Sequence, residues 1–287
     1  MHSIRKFALR PLAVVFLLAL MAASCDQRGP DPTDSSVNAA MGPFTVGTVT
    51  VPSSVGFGGG TIFYPTGTTG PFAVISVSPG FTETAGNLDW GNKLASNGFV
   101  TIVINTSNTF ENPATRSTEQ RQALTYVINQ SNTSGTAIAG LVDANRKGVA
   151  GHSMGGGATL LSEQADPSIM AGAPWAPWNT STDFSNVTVP TLITACQNDS
   201  IAPVNQHASP MYNSIPASTD KSYISVAGQD HFCANAASGA NGEVGRFVVA
   251  FFKKFLDTDT RYDPWVCGAK RPSVDSNLNE VRSTCPF

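Results

Sequence analysis

The sequence predicts an α/β domain: a mostly parallel central sheet with helices on both faces. Three observations predict it. Near-continuous apolar runs such as FAVISVS (72–78) and FVTIVIN (99–105) have the pattern of strands buried on both faces. Between such runs lie segments whose apolar residues recur at helical spacing. Strands alternating with helices imply right-handed crossovers, and hence parallel pairing. With 287 residues, 41% of them hydrophobic, the chain can build one substantial core.

The elements follow in order. A basic start (Arg5, Lys6, Arg10) precedes LAVVFLLALMAAS, which is too short to span a bilayer comfortably and ends in small residues. Residues 1–24 therefore read as a signal peptide and predict a secreted, extracellular protein. MAASC is similar to a bacterial lipoprotein processing site, so lipid attachment at Cys25, and with it an outer-membrane or cell-surface location, is the alternative. Residues 25–42 are polar and Pro-bearing and read as a flexible tether, and 43–287 as a single domain.

Within that domain TVGTVTV and TIFYP are short strands flanking a Gly-rich turn. FAVISVS ends in PGF, and LDWGNKLASNG is helical and closes on Gly98. FVTIVIN is followed by a loop, SNTFENPATR. A helix then opens at Ser117, with Gln120 completing a capping box, and carries Ala123, Leu124, Val127 and Ile128 inward. GVA ends a strand before a Gly-rich turn and a helix through ATLLSEQ. IMAGAPWAPW, TLITAC and KSYISVAG are further strands, and EVGRFVVAFFKKFL is an amphipathic closing helix.

Only 13% of residues are charged and the formal charge is −3, with no basic run beyond the leader. An acidic surface of this kind argues against nucleic acid as a partner. Of five cysteines, Cys25 stands apart, leaving Cys196, Cys233, Cys267 and Cys285, an even number suited to an oxidising compartment. None has zinc-ligand spacing, and no metal is expected.

In parallel sheets function gathers at the carboxyl ends of strands. There the chain places Gly-His-Ser-Met-Gly, the G-x-S-x-G pattern, between a strand and a helix. The bend exposes the Ser153 hydroxyl and turns the Met154 N–H toward an anion. Such a serine needs a base and the base needs a carboxylate. The order Ser, acid, His selects His231 over His152, beside the serine, and over His207. Asp199, closing TLITACQN, is preferred as the acid over Asp183, in a polar loop, and Asp230, beside the base. Three pairings of the cysteines are open. A Cys196–Cys233 bond would clamp the acid loop to the base loop and leave Cys267 and Cys285 to close the tail.

GHSMGGG, APWAPW, CQNDSIAPV, DHFCAN and DTDTRY together resemble the bacterial cutinases and poly(ethylene terephthalate) hydrolases, most of all the subgroup with an additional disulfide near the active site. The resemblance implies an α/β-hydrolase fold without a lid domain, a shallow cleft, and Ser153, His231 and Asp199 as nucleophile, base and acid. It implies an oxyanion hole from the backbone N–H groups of Phe81 and Met154, an aromatic platform at Trp178, and the extra disulfide at Cys196 and Cys233. Two residues depart from the family pattern. Trp175, bulkier than expected, reshapes the cleft floor in this reading, and His207 restricts the movement of Trp178. The expected substrate is a polyester or small ester, bound by a monomer that needs no cofactor. The rival readings are a lipase or general carboxylesterase with little action on polyester, and a non-catalytic polymer-binding surface protein.

Overall fold

The computed structural model describes residues 29–287, so the leader and Cys25 lie outside the described residues. Among these described residues nine strands form one sheet: β1 Thr45–Val51, β2 Gly60–Thr66, β3 Phe72–Ser78, β4 Phe99–Ile104, β5 Val142–His152, β6 Ile169–Trp175, β7 Thr191–Cys196, β8 Lys221–Val226 and β9 Leu278–Ser283. Their spatial order is β1-β2-β4-β3-β5-β6-β7-β8-β9. From β4 to β8 every pairing is parallel, and the antiparallel β1, β2 and β9 lie at the edges. The fold is thus the mostly parallel α/β sheet the apolar runs predict.

Among the described residues seven α-helices accompany it: α1 Asp34–Asn38, α2 Gly91–Ser96, α3 Pro113–Ser131, α4 Met154–Ala165, α5 Ala208–Ser214, α6 Glu243–Leu256 and α7 Asp263–Val266. None among the described residues is long and apolar enough to cross a membrane. The sheet divides the core in two. Along β3, Phe72 and Val74 face the side covered by α3, α4 and α5, while Ala73, Ile75 and Val77 face the side covered by α2, α6 and α7. Period-two alternation in a strand that is apolar throughout is what places helices on both faces.

Three departures from the sequence reading have physical causes. Helix α3 starts at Pro113, not at Ser117: the Asn112 side chain accepts the Thr115 N–H at 3.0 Å, and Pro113 sits where a missing N–H costs nothing. Ser117 lies inside the helix, its hydroxyl 3.0 Å from that of Ser162 on α4. Strand β9, LNEVRS, is polar and edge-lying, so no apolar run betrays it. Residues 29–42, the described part of the segment read as a tether, lie against the domain. There Val37 of α1 is buried in the α6 side of the core, and Arg261 bonds the Gly29 carbonyl at 3.1 Å.

Candidate active site

Ser153 joins β5 to α4 with φ 55° and ψ −117°, a conformation L-residues rarely hold. Three hydrogen bonds fix it. The Ser153 N–H donates to the Trp175 carbonyl (2.9 Å), and the Ser153 carbonyl accepts the N–H groups of Trp178 (2.9 Å) and Gly157 (3.0 Å). The surrounding glycines are required by close approach. A Cβ on Gly155 would lie 2.1 Å from the Ser78 carbonyl oxygen, and one on Gly157 2.2 Å from that of Trp178. Thus the elbow is wedged between the ends of β3 and β6.

The other members come from the ends of β7 and β8. These strands are parallel neighbours in a register that sets Cys196 opposite Val226, so their following loops leave the sheet together. The Cys196–Cys233 disulfide, with a Cα separation of 5.9 Å, ties those loops; Cys267–Cys285 closes the C-terminal segment. The result is a continuous chain of contacts. His231 Nε2 lies 2.8 Å from Ser153 Oγ, and His231 Nδ1 lies 2.6 Å from Asp199 Oδ2. The second carboxylate oxygen, Asp199 Oδ1, accepts the N–H groups of Ile201 (2.9 Å) and Ala202 (2.7 Å). Burial alone would raise the Asp199 pKa. The bond to His231 and the two backbone N–H groups outweigh it and hold the carboxyl below its ordinary value. Asp183 and Asp230 instead accept backbone N–H groups of Ser185 and Phe232 in local turns. An imidazole between a hydroxyl and an ionised carboxylate has the geometry of a general base.

The Met154 N–H, at the first position of α4, and the Phe81 N–H have no backbone acceptor among the described residues. The loop bearing Phe81 abuts Ser153, since a Cβ on Gly80 would lie 2.9 Å from the Ser153 Cβ. Arg116 of α3, fully buried, holds that loop: its guanidinium donates to the carbonyls of Pro79 (3.1 Å), Thr109 (2.7 Å) and Glu111 (2.9 Å). Among the described residues no three His, Cys, Asp or Glu side chains gather as a metal site.

A cavity of about 380 Å³ opens beside Ser153, walled by Phe81, Ile201, His231 and Phe232. The Phe81 ring meets Phe110 edge-on at 5.4 Å. Trp178 is half-buried and packs against His207, with ring centroids 5.9 Å apart, outside the lining of that cavity. The His207 pKa is lowered, first by burial and then by His231, which keeps its ring neutral near pH 7. Trp175 does not reach the cleft. It is 0% exposed and stacked on Trp90 at 4.1 Å, because the last residue of β6 points into the α6 side of the core. The expectation that Trp175 shapes the substrate-binding floor of the cleft is therefore corrected.

Sequence reasoning missed Glu83, Asn235, Phe110 and Arg116. His152, passed over as the base because it lies beside the serine, has both ring nitrogens engaged: Nδ1 is 2.8 Å from Glu83 Oε2 and Nε2 is 2.9 Å from the His231 carbonyl oxygen. The available signal was an acid two residues after Phe81 in a chain poor in charge.

Known proteins are similar to this chain along most of its length. Residues 20–286 match the family model described as PETase: PET hydrolase-like. The chain is 41% identical over 269 residues to a cutinase of Thermobifida fusca (strain YX), across 93% of this chain and 87% of that protein. It is 41% identical over 264 residues to cutinase 1 of Thermobifida cellulosilytica, across 91% and 98%. It is 40% identical over 264 residues to a bis(hydroxyethyl) terephthalate hydrolase of Streptomyces coelicolor, across 91% and 82%.

Proposed function

The chain belongs to the PET hydrolase-like family, and from that premise we propose that it is a carboxylic ester hydrolase cleaving polyesters, poly(ethylene terephthalate) among them, and short-chain acyl esters through an acyl-enzyme on Ser153. One observation carries the reading: the unbroken contact chain from Ser153 Oγ through His231 to Asp199, at 2.8 and 2.6 Å.

The chemistry follows from the proton positions. With its Nδ1–H directed at ionised Asp199, His231 presents Nε2 as an acceptor to the Ser153 hydroxyl. As Ser153 Oγ attacks the ester carbonyl, His231 takes the proton, and Asp199 offsets the charge that forms on the ring. The oxyanion is received by the N–H groups of Phe81 and Met154, one such donor being worth about 10²–10³ in rate. His231 then protonates the departing alcohol. Water, deprotonated by the same nitrogen, releases the acid and restores Ser153.

The surface supports an apolar, extended substrate. Among the described residues the large exposed hydrophobics are Met41, Phe81, Phe110, Ile201, Phe232 and Val274; three of these line the cleft and Phe110 leans on Phe81. Apolar surface concentrated at one mouth is the mark of a binding face. A polymer film cannot enter a cell, which agrees with the reading of residues 1–24 as an export signal, of 43–287 as one catalytic domain, and of a monomer acting outside the cell, free or lipid-anchored through Cys25. Mass spectrometry of the mature N-terminus separates the last two.

The test is product release from aliphatic and aromatic polyester films, compared with a nitrophenyl butyrate and a long-chain triglyceride, with Ser153→Ala as control. The reading expects acid and monoester products from both films and none with the control. Turnover of the small ester or triglyceride with no product from either film would assign a general esterase or lipase instead.

A further inference from the structure

Beside Ser153, in the lining of the same cleft, sit two buried ionisable side chains for which the relay has no use. Glu83 and His152 are both less than a tenth exposed. Their partners are what make the pair unusual. Glu83 Oε2 accepts the Gly80 N–H at 2.6 Å and faces His152 Nδ1 at 2.8 Å, while Glu83 Oε1 accepts the Asn235 side-chain amide at 2.8 Å. At its far end the imidazole reaches the backbone carbonyl of His231 at 2.9 Å. One carboxylate–imidazole pair, whose imidazole adjoins Ser153 in the chain, thus touches the loop that carries the Phe81 N–H and both His231 and Asn235 in the loop of the base.

The protonation of the pair is constrained by what each atom faces. A carbonyl oxygen only accepts, so His152 Nε2 must carry a hydrogen. Nδ1 faces a carboxylate oxygen already taken by the Gly80 N–H. A neutral ring beside an ionised Glu83 would set lone pair against lone pair. A proton held between Nδ1 and Glu83 Oε2 satisfies every contact, and bonds to an ionised group are about twice as strong as neutral ones. Burial alone would raise the Glu83 pKa, but His152, the Gly80 N–H and Asn235 together hold it below the ordinary value. The titratable and charged groups around the pair are His231, whose ring lies 4.7 Å from that of His152, and Arg116 of α3, which feels the Glu83 charge.

We infer that Glu83 and His152 are positioning residues that fix the distance between the oxyanion donor Phe81 and the base His231 by bonding the backbone of both loops. The inference rests on the Ser153–His231–Asp199 reading. Its consequence is specific to the reaction. Donor and base must act on one carbonyl at once, and a misplacement of about 1 Å costs on the order of 10²-fold in rate. Loosening the pair therefore lowers kcat and leaves KM, set by the apolar mouth, nearly unchanged.

The experiment measures kcat and KM on nitrophenyl butyrate for the wild type, Glu83→Ala, Glu83→Gln, His152→Phe and the double variant Glu83→Ala/His152→Phe, with Tm and fluorophosphonate labelling of each. The expected result is a fall in kcat of about 10–100-fold for Glu83→Ala and for His152→Phe, with KM within about twofold. Glu83→Gln, which keeps an acceptor for the Gly80 N–H, is intermediate, and the double variant is no worse than the worse single one. If Glu83→Ala does not fold, Glu83→Gln and His152→Phe carry the test. Folded variants with wild-type kcat and only a lower Tm overturn the inference, as do single losses that multiply in the double variant. Failure of the underlying reading is distinguishable, because it leaves Ser153 unlabelled in the wild type itself.

Discussion

Asp199 shows how much one side chain's surroundings decide. Its Oδ1 is pinned by the Ile201 and Ala202 N–H groups, so only Oδ2 is left for His231. In Asp199→Asn the amide oxygen must take the pinned side, which turns the NH₂ group toward His231 Nδ1. The ring then adopts the tautomer with hydrogen on Nε2, facing Ser153 with a donor where an acceptor is needed. We predict a kcat loss of about 10³–10⁴-fold with the fold intact, measured by steady-state kinetics beside a circular dichroism spectrum. Glu163 of α4 makes a contrasting case. Burial raises its pKa well above the ordinary value, opposed only by the bond to Thr191. The Thr191 hydroxyl lies 2.9 Å from Glu163 Oε2 and 2.8 Å from the Val189 carbonyl, yet has one hydrogen to give. A protonated Glu163 donates to the Thr191 oxygen and frees that hydrogen for Val189. The sign follows: the unfolded chain ionises Glu163 above about pH 4.3 and the folded chain does not, so stability falls with rising pH by about 1.4 kcal/mol per unit until the folded pKa is reached. Glu163→Gln should match the wild-type Tm at pH 4 and exceed it at pH 8. An equal difference at both pH values would contradict this protonation state.

At the scale of elements, the end of β7 and the end of β8 each present one member of the relay, and the Cys196–Cys233 bond, spanning 37 residues, ties them. Cys196→Ala/Cys233→Ala is expected to lose about 2–4 kcal/mol of stability in denaturant titration. It should also lower kcat, because the two loops then move independently. Trp90 supports the same region from below, stacked on Trp175 and donating its indole N–H to the Ala234 carbonyl at 2.8 Å. This scale also shows what was legible beforehand. Strands β3, β4, β7 and β8 announced themselves because both faces are buried; Asp199 and His231 were legible because each follows such a strand, and Ser153 because it stands in a G-x-S-x-G turn after β5. The start of α3 was misread because Ser117 and Gln120 imitate a capping box while the working cap, Asn112, stands upstream in what looks like a loop. Trp175 could not be told from Trp178 in APWAPW, since which tryptophan faces the core depends on where β6 ends. Glu83 and His152 were illegible as a pair because 69 residues separate them and only the parallel β3–β5 pairing brings them together.

For the whole molecule, the fold puts polar burdens inside and apolar surface at one mouth. Several carboxyls are held below their ordinary values despite the opposing effect of burial: Asp259 by Arg261, Asp143 by the Asn145 N–H and Arg146, and Asp166 by Ser168 and Lys147, besides Asp199. Each folded pKa is below its unfolded one. Their stabilisation is therefore complete above about pH 4 and is lost as pH falls through the folded values. Thermal melts between pH 4 and pH 2 should show Tm declining steeply, and a flat profile there would refute these pairings. The central claim, that an alcohol at the elbow is made nucleophilic by two groups from distant strand ends, is tested most directly by fluorophosphonate labelling followed by peptide mass spectrometry. The account predicts one label per chain, on Ser153, formed far more slowly in His231→Ala and absent in Ser153→Ala. Folded wild-type protein that takes no label, or takes it on another residue while Ser153→Ala still hydrolyses esters, would contradict it.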